Sequence, residues 1–119
     1  MATRSLAPRL RCLPLATVLD REVPVATGPR ARLLGLAWLS RSRAGVGLLI
    51  PRCSSVHTFG MRFPLDLVFL DEAGLELSSR RGVGPRRIAS DRRAAAVLEL
   101  PARAEHRRGY GPQAPLAAE

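Results

Sequence analysis

The sequence contains no lysine and no asparagine; all 19 of its basic residues are arginine. Isoleucine occurs twice, and the aromatics are Trp38, Phe59, Phe63, Phe69 and Tyr110. Ala, Arg, Gly, Leu and Pro dominate instead, the bias that GC-rich coding produces. Part of the formal net charge of +9 is therefore compositional. No uncharged stretch exceeds 10 residues, and the longest, 109–118, is broken by Gly and Pro. A membrane-spanning helix needs ~20 apolar residues, so none is expected. Cysteine is scarce too. Cys12 and Cys53 fit no CxxC or zinc spacing and do not make a disulfide scaffold. The apolar run 12–19 behind the basic start contains Pro14 and stops at Asp20, too short for an export signal. Free thiols in a reducing cytoplasm are the expectation.

What is present suits one globular domain. The 119 residues are 46% hydrophobic and 24% charged, and a chain of this size supports one core. Charge is uneven. Residues 1–62 carry 10 arginines against Asp20 and Glu22, whereas 63–119 carry 9 against 8 acids. Local patterning predicts a loose basic segment over 1–10, a β-rich domain over 11–102 and a loose tail over 103–119. Short strands are expected at 11–19 and 22–27, at the sheet edge because of Pro14 and Pro24. A short helix is expected over 30–39, and a strand over 45–51.

The clearest feature follows Pro64. Residues 65–70 read as a strand, Asp71-Glu72-Ala73-Gly74 as a turn and 75–79 as a second strand, an antiparallel hairpin. Leu65, Leu67 and Phe69 share one face, Asp66, Val68 and Leu70 the other; both are largely apolar, so this strand is central. Residues 80–93 read as an Arg-, Gly- and Pro-rich connection, and 94–100 as a last strand. The fold class is mainly β, a small sandwich or barrel-like domain with one short helix.

Residues 55–71, SVHTFGMRFPLDLVFLD, together with Ala96-Val97-Leu98-Glu99-Leu100-Pro101-Ala102, resemble the signature of the domain-of-unknown-function family 192. The Gly35-Leu36 step looks like that family's Gly-Leu segment. The resemblance spans roughly residues 22 to 102. It implies a small, mainly β fold and no established reaction. Two departures stand out: Arg103 occupies a place where the family has glycine, and Gly109-Tyr110-Gly111-Pro112 lacks the family's Gly-Asp.

Chemistry can sit in few places. Cys53, His57 and Met61 are spaced by four and four, which puts them on one side of a helix or of a strand. Such S/N/S ligands suit Cu(I), while the structural alternative is a packed Met61, a hydrogen-bonded His57 and a small buried Cys53. Segment 53–61 is bracketed by Pro51 and Gly60 with Ser54-Ser55 at its start, which predicts that Cys53 points away from His57. Cys53 and His57 as nucleophile and base would need a third, orienting group. Asp66, the nearest acid, reads instead as a buried carboxylate held by Arg62 or by backbone N–H groups. The arginine pairs 80–81, 86–87 and 92–93 could meet phosphate, but no aromatic interleaves with them. Gly82-Val83-Gly84-Pro85 lacks the Lys-Ser/Thr of a phosphate loop. No cofactor motif is present. The expectation is a non-catalytic binding or accessory module with a polar site at His57, Arg62 and Asp66, taking a small ligand or protein partner. The alternatives are a soft-metal or Cys-His site on 53–61 and anion or nucleic-acid binding through the arginine loop.

Overall fold

A computed structural model describes residues 6–103. In chain order the elements are α1 (Pro8–Arg11), β1 (Leu15–Val18), β2 (Arg21–Pro24), α2 (Gly28–Leu34) and α3 (Arg41–Ala44), then β3 (Leu48–Pro51), β4 (Ser55–His57), β5 (Leu65–Leu70), β6 (Glu76–Val83), β7 (Ile88–Ser90) and β8 (Ala96–Pro101). The centre is a four-stranded antiparallel sheet in the order β3-β8-β5-β6, with two-stranded pairs β1-β2 and β4-β7 beside it. The mainly β class holds, and among the described residues no sheet closes into a barrel. No described helix is long and apolar enough to cross a membrane. Cys12 and Cys53 are both free.

Strand β5 is central, and all six of its residues are buried. Its alternation feeds two cores, because successive side chains leave opposite faces of a strand. Leu65, Leu67 and Phe69 join Leu36, Leu48, Ile50 and Val97 on the first face, under Ala7, Leu10 and Ala44. Val68 and Leu70 join Leu98 and Leu100 on the second, under Val18 and Val23 of the β1-β2 hairpin. That hairpin turns on Leu19 and Asp20, both at positive φ (50° and 64°), the sign a two-residue primed turn requires. A parallel bridge from Val25 to Leu49 ties it to the sheet edge.

The β5-β6 hairpin is the expected one. Asp71 Oδ1 accepts from the N–H of Ala73 and Leu75, and Gly74 sits at φ 85° with nothing near a would-be Cβ. Glycine is needed there for its backbone conformation alone.

Three local expectations are corrected. The stretch 80–93 is not only a connection: β6 runs on through Val83, and β7 follows. Arginine hides the alternation, since Arg80 lies over the Phe69 ring at 5.8 Å and Arg81 points to Asp66; long charged side chains cover apolar surface while keeping their heads in water. The described part of the basic start is folded, not loose. Ala7 and Leu10 are buried, and the Ala7 N–H donates to the Arg43 carbonyl at 3.0 Å. The helix expected over 30–39 ends earlier, at Leu34, because Gly35 takes φ 54° and ψ −128°. The tail beyond Arg103, with His106, lies outside the described residues.

Candidate functional site

Two acids sit in the middle of the sheet, on adjacent strands and opposite faces. Asp66 of β5 pairs with Leu100 of β8, and Glu99 pairs with Leu67 and Leu48. Both acids are buried, Asp66 completely and Glu99 at 3% exposure. Their surroundings differ.

Asp66 answers a bulge. The β5-β6 register slips between Leu65 and Leu67, and Gly82, at φ 61°, falls within the slip. A bulge leaves a ladder N–H unpaired. Here the Gly82 N–H donates to Asp66 Oδ1 at 2.9 Å, and the Arg103 N–H reaches Oδ2 at 3.3 Å. The Arg81 guanidinium stands 3.9 Å from Oδ2. A cavity of about 410 Å³ opens beside it, lined by Arg21, Arg41, Arg81 and Arg103 with Glu76. The expected buried carboxylate is there, held by backbone donors and Arg81. Arg62 is not its partner: it is exposed and lines neither this cavity nor the one described next.

Glu99 lies on the first face, against the turn after α2. The Leu36 N–H donates to its carboxylate, and Oε1 has no hydrogen-bond partner. Burial pushes the carboxyl up to about 7, against the smaller opposing pull of the Leu36 N–H. Gly35 makes the approach feasible, since a Cβ there would come within 2.7 Å of Oε1. Arg9 steadies the turn by donating to the carbonyls of Gly35 (3.0 Å) and Ala37 (2.6 Å). Its own guanidinium pKa is lowered, first by burial and then by the charge of Arg30.

Glu99 forms part of the wall of a cavity of about 380 Å³, together with Cys53, His57, Met61, Ile50 and Leu34. Cys53 and His57 both line this space. Neither is arranged as a nucleophile–base pair. The Cys53 thiol donates to the Ser55 carbonyl at 3.2 Å, and His57 Nδ1 accepts the Phe59 N–H at 3.2 Å, which leaves the ring proton on Nε2. Among the described residues no three His, Cys, Asp or Glu side chains cluster as a metal site. The cavity brings together Cys53, His57 and Met61, and it separates His57 from Asp66 and Arg62.

Two residues of this region escaped the sequence reading. Glu99 was visible by the logic applied to Asp66, an acid inside an apolar strand. Thr58 carried no such mark. It is buried at 1% exposure, and its hydroxyl donates to the Gly84 carbonyl (2.7 Å) and accepts the Arg87 N–H (2.8 Å), fastening the loop behind His57 to the β6-β7 connection.

Comparison with known proteins agrees with this architecture. A crystal structure from Sinorhizobium meliloti 1021, of a protein provisionally described as a transcription regulator, superposes with a TM-score of 0.61 at 26% identity, over 82% of this chain and 84% of that one. A protein of unknown function from Novosphingobium aromaticivorans DSM 12444 superposes with a TM-score of 0.60 at 17% identity, over 90% and 86% of the two chains. No curated protein matches the chain. The family model DUF192, described as "Uncharacterized ACR", matches residues 15–116. That span takes in the hairpin, the sheet and both acids, and the chain belongs to the DUF192 family.

Proposed function

We propose that this domain is a non-catalytic binding module whose small ligand enters the cavity at Glu99 and His57. The observation that carries the reading is Glu99, part of the wall of a cavity of about 380 Å³, whose Oε1 is buried and without a partner. Buried polar atoms are nearly always bonded, and an exception calls for a reason. A ligand that completes the shell is such a reason, and the volume lies at the low end of small-molecule sites. The family's Gly35-Leu36 and Leu98-Glu99-Leu100 segments meet at this point, although more than 60 residues separate them in the chain.

The bonding of Cys53 and His57 favours binding over nucleophilic catalysis, which needs thiol and imidazole facing each other. DNA reading, suggested by the Sinorhizobium protein's description, has less support. The longest described helix has 7 residues, short for groove recognition. Arg80, Arg81 and Arg93 are engaged within the chain, by Phe69, Asp66 and Asp91.

The test is a fragment screen read by protein-observed NMR on the Met61 methyl and the His57 ring. Fragments that shift both resonances in the wild type, and shift them less in Glu99→Gln, are expected. A screen in which no fragment moves either resonance would rule out the reading.

A further inference from the structure

We infer that the ligand of this cavity carries a primary ammonium group on a compact apolar body, with the ammonium seated against Glu99. This rests on the binding reading above and narrows it. The Leu36 N–H draws the carboxyl pKa down, yet Oε1 has no hydrogen-bond partner. Once ionised, the carboxylate only accepts hydrogen bonds, so a ligand that binds this form brings a donor. A cationic donor forms a charge-assisted bond, about twice as strong as a neutral one, and compensates a charge that is costly to bury alone. An anionic ligand would meet Glu99 with like charge.

None of the other charged and titratable groups on the wall hydrogen-bonds Oε1. Arg32 of α2 is held by the carbonyls of Pro51 and Arg52 at the end of β3. Cys53 donates to Ser55, and His57 has its Nδ1 taken by Phe59. Much of the remaining wall is hydrocarbon or thioether: Pro29, Leu33, Leu34, Ile50, Val56 and Met61. An apolar body is at home there. An extended polar one, such as a sugar, would leave its hydroxyls without partners. Gly35 keeps the space beside Oε1 uncrowded, since a Cβ would stand 2.7 Å from it.

A matched series tests the charge and nothing else: n-butylamine, n-butanol and butyrate, titrated into the full chain and followed by NMR. The amine is expected to bind at least tenfold more tightly than the alcohol, with butyrate weakest. E99Q should abolish the preference of amine over alcohol. E99D, which withdraws the carboxylate by one methylene, should keep part of the preference and guards against a folding defect in E99Q. Nα-acetyl-lysine methylamide carries the same ammonium on a peptide unit. Its ratio to n-butylamine tells a lysine side chain from a free amine, and either result supports the ammonium. Equal binding of amine and alcohol, or tighter binding of butyrate, would overturn the ammonium assignment and leave the binding module intact. Failure of all three probes, together with an empty fragment screen, would take down both.

Discussion

Asp66 and Glu99 occupy neighbouring strands of one sheet, are equally deep, and have opposite fates. Asp66 is saturated: two backbone N–H groups and a guanidinium converge on it, and the bulge at Gly82 exists in the form it does because the carboxylate is there to receive it. Glu99 has the Leu36 N–H nearby but keeps Oε1 without a hydrogen-bond partner. A carboxylate that answers its surroundings stabilises the fold, whereas one left partly unanswered costs free energy in the absence of a ligand. The difference separates an acid that builds the sheet from one that equips a cavity.

The largest effect that would break this contrast is the loss of Asp66. Asp66→Ala removes the acceptor of the Gly82 N–H and the carboxylate that the Arg103 N–H and the Arg81 guanidinium face. It is expected to lower unfolding free energy by about 3–4 kcal/mol in urea titration. Asp66→Asn should cost less, because one amide oxygen can still take the Gly82 bond. A loss under 1 kcal/mol for the alanine variant would show that the bulge does not depend on its carboxylate.

Glu99 predicts the opposite sign. Its carboxyl sits at about 7 when folded against an ordinary value of 4.5. Well below pH 4.5 the group is protonated in both states and contributes no pH dependence. Between 4.5 and 7 the unfolded chain ionises and the folded one resists, so this group's stability contribution falls by about 3 kcal/mol across that window and levels off above it. Glu99→Gln should remove this slope and be more stable than wild type at pH 8 by about 1–3 kcal/mol. Urea midpoints at four pH values decide it; a variant that keeps the wild-type slope would assign the titration elsewhere.

The turn that holds Glu99 can be loosened without touching the acid. Arg9→Met removes the two bonds to the Gly35 and Ala37 carbonyls while keeping an apolar stem. A loss of about 1–2 kcal/mol is expected, with faster hydrogen exchange at the Leu36 amide as the specific mark. Unchanged exchange there would mean that Arg9 does not position the Glu99 donor.

Two glycines sharpen the comparison at the smallest scale. Gly74→Ala pays only for positive φ and should cost about 1 kcal/mol. Gly35→Ala adds a methyl group against Oε1 on a backbone at φ 54° and ψ −128°, outside the left-handed region, and should cost about 1–2 kcal/mol more at pH 8. Equal losses would mean that Glu99 moves aside freely.

Much of this was legible in order. Leu65–Leu70 declared itself a central strand because neither of its faces is polar, and the Asp71–Gly74 turn declared its hairpin. Asp66 was identifiable as buried because an acid inside an apolar strand must find partners. The partners themselves were not legible. Arg62 is four residues away and exposed, while Arg81, Gly82 and Arg103 arrive from the next strand and from beyond β8. The arginine pairs masked β6, since their hydrocarbon stems pack while their charges register as surface. Helix α1 was unreadable as core because Ala7 and Leu10 bury against residues far along the chain, and the Ala7 N–H finds its acceptor at Arg43.

The sequence by itself determined the mainly β class, the central hairpin, the family and the presence of a carboxylate that has to be buried. Those follow from period-two alternation, turn chemistry and the cost of an unpaired charge, all of which act within a few residues. Only the tertiary structure decided that His57 shares a cavity with Glu99 and not with Asp66, and that one acid is saturated while its neighbour is not. The reason is geometric. A residue's face on its strand is set locally, but what stands across from that face is set by strand order, by a one-residue bulge and by where a glycine lets the chain turn.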